Sequence, residues 1–199
     1  MTVEVQVLGR FEIRTHGAPV PVAFAQQRLV AFLALHPKAL ARGYVAGTLW
    51  PDRTDRRAAA NLRSTMWRLG PIGDVLVDAT PSKLGLQPSV DVDARALDRT
   101  ARGLLTGGLD GADLPAGDLL PGWDEDWVVG ERERLRQIRA HALEALGSRL
   151  LGAGRASAAV AAAAAAVAVD PTRESARRLL RVARAACCPA PSAKAAQGA

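Results

Sequence analysis

The sequence predicts an α+β winged helix-turn-helix at the N-terminus, followed by an all-α, tetratricopeptide-like helical domain. Three observations predict this: short alternating strands precede three short helices, a hairpin pattern follows the third helix, and long amphipathic or alanine-rich helical patterns occupy the last third.

In Met1–Leu8 the residues Val3, Val5 and Val7 alternate with Glu4 and Gln6, and Phe11 and Ile13 alternate with Glu12 and Arg14 after Gly9-Arg10. Two antiparallel strands are expected there, and Val20-Pro21-Val22 is expected to form a third, confined to an edge or a strand end by its prolines. From Ala25 the period becomes helical, with Leu29, Phe32, Leu33 and His36 on one face and Pro37 closing the segment. Gly43 to Trp50 reads as a second helix stopped by Pro51. Thr54 or Asp55 then offers an N-cap oxygen to a third helix ending near Leu69. Val75-Leu76-Val77 and Leu84-Gly85-Leu86 flank Thr80-Pro81-Ser82-Lys83 as a hairpin, the wing.

A boundary is expected near residue 92, giving a DNA-binding domain over 1–91 and a helical domain over 92–186. The stretch from Asp91 to Trp127 is acidic and broken by glycine and proline, with Ala94 to Leu105 helical inside it. Val128 to Leu151 carries the stripe Leu135, Ile138, Ala142, Leu146 and Leu150. An alanine helix ends at Asp170-Pro171, and a last helix runs from Thr172 to about Ala186 with Leu179, Leu180 and Ala183 inward. Helix pairs of this kind resemble tetratricopeptide repeats, although no clean 34-residue period recurs. Residues 187–199 are expected to be a disordered tail, because Cys-Cys-Pro-Ala-Pro breaks the pattern.

The chain has 199 residues, 49% hydrophobic and 23% charged, which is globular stock for one or two compact units. The run Ala156–Val169 is short and mostly alanine, so no membrane span is expected, and no secretory signal opens the chain. The adjacent pair Cys187 and Cys188 cannot staple distant segments, and a cytoplasmic location follows, with nucleoid association expected of a DNA binder. His16, His36 and His141 lack partners at ligand spacing, and neither a P-loop nor a dinucleotide fingerprint occurs, so no metal and no cofactor are expected. The formal charge is +6, with 23 arginines against 3 lysines, and it is segregated: net +4 over residues 1–80, −5 over 81–130 and +7 over 131–199. Such clustering points to a polyanionic partner.

The third helix carries the chemistry. Leu62, Met66 and Leu69 share one side, while Arg57, Asn61, Ser64 and Arg68 fall on the other, flanked by Ala60 and Trp67 and edged by Arg56 and Arg63. Arginine and asparagine form two-point hydrogen bonds with guanine and adenine edges, and serine bonds bases or phosphates. Residues 38–70 hold seven basic and two acidic side chains, a source of counterion release on double-stranded DNA. Lys83, on the hairpin tip, is placed to reach phosphate or the adjacent minor groove. A solvated charged face is the alternative for an isolated helix, and its position as third of three helices before a wing favours DNA.

These residues resemble the Streptomyces antibiotic regulatory proteins, whose first half is an OmpR-type winged helix and whose second half is the bacterial transcriptional activator domain. The likeness spans residues 3 to about 184 and rests on Val7-Leu8-Gly9, Gln27-Arg28-Leu29, Leu49-Trp50-Pro51-Asp52, Ala59 to Leu69, Leu120-Pro121-Gly122-Trp123, Asp126-Trp127-Val128 and Glu131 to Arg136. The resemblance implies an activator of a secondary-metabolite gene cluster that binds promoter direct repeats as a homodimer on DNA and engages RNA polymerase holoenzyme. It also implies that Asp52 and Arg53, in the turn before the third helix, touch polymerase. Two departures stand out. Phe24-Ala25-Gln26-Gln27 precede Arg28 where the family often has a lysine or arginine, so no phosphate contact is expected there. After Arg184 the pattern stops, which reads as a shortened activator domain, and Arg177, Arg178, Arg181 and Arg184 are expected to face carboxylates of residues 110–126.

Two rival classes stand beside this reading. Asp124, Glu125 and Asp126 form an acidic trio from which a carboxylate pair could perform acid-base work, yet no nucleophile motif accompanies them and a solvated, helix-capping turn is the expectation, so no enzyme is predicted. A helical-repeat interaction module, or a competitor of full-length regulators without activating function, is the alternative reading.

Overall fold

The computed structural model describes residues 2–107 and 114–187. Asp110 and all of the expected tail but Cys187 lie outside the described residues. The chain divides into two compact units, one of Met1–Leu97 with Pro115–Glu133, the other of Asp98–Leu114 with Arg134–Ala199.

In the first unit, β1 (Val3–Gln6) and β2 (Glu12–Thr15) pair antiparallel with Val5 opposite Ile13. The alternation works as expected: Val3, Val5 and Ile13 are buried while Glu4 is exposed. His16 and Gly17 both take positive φ, 51° and 79°, as a two-residue type I′ turn requires. The turn is tight enough that β3 is Ala18–Pro19, opposite Thr15 and Arg14, and the third strand is therefore two residues earlier than Val20-Pro21-Val22. The fourth strand of this sheet, β7 (Val90–Val92), runs parallel beside β1 and gives the order β3-β2-β1-β7.

Helix α1 (Phe24–Leu35) is buried at every position from Leu29 to Leu35. No glycine ends it. Its last carbonyls are satisfied instead by Arg95, whose guanidinium donates to Leu33 O, Ala34 O and His36 O at 2.8–2.9 Å. Next come β4 (Leu40–Ala41), α2 (Arg42–Leu49) and α3 (Asp55–Arg68). Val75-Leu76-Val77 is not a strand throughout: Pro71, at the first helical position after Gly70, starts the short helix α4 (Pro71–Leu76), and β5 (Val77–Ala79) begins only at Val77. β5 and β6 (Lys83–Leu86) form the wing hairpin, and β4 adds to its other edge in the order β4-β6-β5.

Residues 115–133 fold with this unit. The physical reason is backbone pairing. Gly9 N–H donates to Asp118 O at 2.7 Å and Leu120 N–H to Val7 O at 2.9 Å, extending the end of β1. Gly117 makes this approach possible, since a Cβ there would lie 2.9 Å from Gly9 N. Arg132 then holds the turn by donating to Leu119 O, Leu120 O and Trp123 O. The acidic trio is not simply a solvated turn either: the Glu125 carboxylate pairs with Arg28, which also donates to Leu49 O.

Helices α5 (Asp93–Leu105) and α6 (Asp126–Gly152) contribute to both units, and α7 (Ala156–Val169) and α8 (Glu174–Cys187) to the second. The core of the second unit gathers Ala101, Leu104 and Ala142 with Ile138 and Leu146. α7 packs along α8 through Ala159, Ala163, Ala166, Ala176 and Ala183, all fully buried. Small residues set the spacing: a Cβ on Gly147 would meet Leu179 at 3.0 Å and the Ala159 carbonyl at 3.5 Å. Asp170 caps α7 and accepts from Thr172 Oγ1 at 2.8 Å, while Arg136 pairs with it. Arg173 joins Glu144 at 2.8 Å. Arg177 and Arg181 pair with Glu174 on their own helix. Among the described residues no helix is long and apolar enough to cross a membrane.

Candidate nucleic-acid interface

Helix α3 follows the turn Pro51-Asp52-Arg53, where Asp52 and Arg53 are both exposed. Thr54 is the N-cap, but its side chain makes no capping hydrogen bond, and Asp55 in the first turn instead complements the helix dipole. The helix is fixed by a buried stripe of Ala58, Leu62, Thr65 and Leu69. At about 100° per residue, the direction opposite that stripe is occupied by Ala60 and Trp67, one above the other two turns apart. Arg56 and Arg63 lie on one side of this pole; Ser64, Arg57 and then Arg68 lie on the other.

This phase differs from the sequence expectation, which centred the outward face on Arg57, Asn61, Ser64 and Arg68. Arg56, Arg57, Ala60, Arg63, Ser64, Trp67 and Arg68 are exposed, whereas Asn61 is half-buried at the margin beside the packed stripe. Thr65 explains the rotation. Its small side chain is 5% exposed and belongs to the packed face, while Met66 is only half-buried.

Charge on this face is unspent. No ion pair involves Arg53, Arg56, Arg57, Arg63 or Arg68 among the described residues, whereas Arg28, Arg95 and Arg132 of the same unit are held by a carboxylate or by carbonyls. Five exposed guanidinium groups without an ion-pair partner among the described residues raise the local positive potential.

The wing is tied to α3 by a residue the sequence reading passed over. Arg42 begins α2, donates from Nε to Thr80 O at 2.9 Å, and approaches Met66 Sδ with Nη1 at 3.7 Å. Its backbone N–H bonds Ser82 O at 3.0 Å. The Arg-Gly opening of a helix carries no signal of such a contact, because Thr80 and Met66 are distant in sequence. Lys83 is exposed at the start of β6, with its backbone N–H bonded to Thr80 Oγ1. Lys83 thus stands on a braced tip. Among the described residues no group of His, Cys, Asp and Glu gathers as a metal site.

The fold is that of a winged helix-turn-helix joined to a helical domain. The structure of Mycobacterium tuberculosis EmbR in complex with a low affinity phosphopeptide superposes with a TM-score of 0.72 at 21% identity, over 93% of this chain and 55% of that one. The chain thus spans just over half the length of that relative. No curated protein sequence matches the chain significantly. The model of the bacterial transcriptional activator domain family matches residues 91–190, half of the chain. The protein belongs to that family, one of transcription regulators rather than of enzymes.

Proposed function

We propose that the protein binds double-stranded DNA in a sequence-specific manner through α3 in the major groove and the β5–β6 wing at the adjacent backbone or minor groove. One observation carries this reading: among the described residues the five arginines on and just before α3 have no ion-pair partner, while the arginines elsewhere in the unit are held by carboxylates or carbonyls. Arg56, Arg57, Arg63 and Arg68 supply phosphate or guanine contacts, Ser64 and Asn61 reach bases or phosphates from the flank, Trp67 lies on the groove-facing ridge, and Lys83 contacts backbone. The family membership supports a role in activating transcription, with the antibiotic-type gene cluster, promoter direct repeats, a homodimer on DNA and recruitment of RNA polymerase holoenzyme through Asp52 and Arg53 as the specific form.

Selection from a random duplex pool tests the reading. The protein should enrich one sequence element, and Arg56, Arg57, Arg63 and Arg68 changed together to alanine should abolish enrichment. Unchanged enrichment by that variant would remove α3 from the interface.

A further inference from the structure

Trp67 is 81% exposed, more than any other large apolar side chain described. An indole left in water forgoes the burial of roughly 150–250 Å² of surface, so its placement at the outward pole of α3 asks for an occupant. Arg63 and Arg68 flank it and Arg56 lies along the same ridge, all exposed and without an ion pair among the described residues. A protein partner at this spot would have to bring enough carboxylates to cover them, whereas a nucleic acid supplies phosphates on both walls of a groove that admits a helix. The floor of the major groove has one strongly apolar feature, the C5-methyl of thymine. Ala60, two turns earlier on the same pole, adds a second small apolar surface with room for close approach.

We propose that Trp67 determines specificity by packing its indole against a thymine methyl in the major groove, so that the recognised element carries an obligatory thymine at that position. The inference rests on the DNA-binding reading and narrows it to the chemical group that is read. The neighbouring arginines anchor the phosphates, and the indole discriminates. Thymine is distinguished from cytosine at this position by the methyl and not only by hydrogen bonding.

The test replaces thymine with deoxyuridine, which lacks only that methyl, one position at a time in the duplex enriched from a random pool. One position should weaken binding by the wild-type protein about fourfold, the value of one buried methyl. Trp67→Ala should bind the thymine and uracil duplexes equally, and Trp67→Phe should retain part of the difference. Because the first readout uses the unaltered protein, it does not depend on a variant folding. Indifference of the wild type to every replacement overturns the inference and leaves DNA binding standing. So does a Trp67→Ala variant that keeps full methyl discrimination. Absence of binding to any duplex overturns both.

Discussion

Asn61 and Trp67 show how a helical face is phased by what packs beneath it. A wheel built on Leu62, Met66 and Leu69 turns Asn61 outward together with Arg57, Ser64 and Arg68, but Ala58 and Thr65 lie within the buried stripe and Met66 turns partly outward, which leaves Asn61 at its margin. Residue types and their spacing were legible; the few tens of degrees of rotation depend on tertiary neighbours such as Arg42. Consequences follow for single substitutions. Alanine at Arg68 should cost about 1–3 kcal/mol of discrimination between the enriched element and its variants if the guanidinium reads a guanine, and a uniform loss on all duplexes would assign it to phosphate. Asp98 gives a pH prediction in the second unit. Burial alone would raise its pKa, but hydrogen bonds from Arg102 and Arg134 outweigh that and hold it below the usual 3.8. Its contribution to stability is therefore full above the unfolded value and lost as pH falls through the lower folded value. Asp98→Asn should flatten that part of the acid-side decline in melting temperature; an identical acid decline would show that these pairs contribute nothing.

At the scale of elements, period and punctuation located the longer helices, the first two strands and the wing hairpin, and missed β4, β7 and α4. β4 and β7 have two and three residues, too few to show alternation, and exist because β6 and β1 offer them an edge. α4 was hidden because Val75-Leu76-Val77 has the composition of a strand, while Gly70-Pro71 is a helix start as readily as a turn. The segment 117–120 pairs with the end of β1 through Gly117, whose φ is +104° and whose missing Cβ leaves room for the Gly9 backbone. Gly117→Ala should lower stability by about 1–3 kcal/mol in chemical denaturation, and an unchanged midpoint would show that this pairing is not held in solution. The turn before α3 makes a separate prediction. If Asp52 and Arg53 contact polymerase, their replacement should reduce transcription from a target promoter in a reconstituted assay with promoter affinity unchanged, and a parallel fall in both would tie them to DNA instead.

For the whole molecule, the two classes of element, small sheets with three helices and then long small-residue helices, were readable from hydrophobic period alone. The return of residues 115–133 to the first unit was not, since it rests on Arg28, Arg132 and Gly117, each meeting partners far along the chain or through backbone carbonyls that no side-chain pattern encodes. The same distinction between committed and uncommitted charge carries the functional account. The most direct measurement is the affinity for a mixed-sequence DNA duplex as salt is raised, for the wild type and for single alanine variants of Arg56, Arg57, Arg63 and Arg68. Log affinity should fall steeply with log salt, and each variant at a phosphate-contacting arginine should make the slope shallower by about 0.9. No binding at low salt, or a slope that all four replacements leave unchanged, would contradict the assignment of α3 as the DNA-binding face.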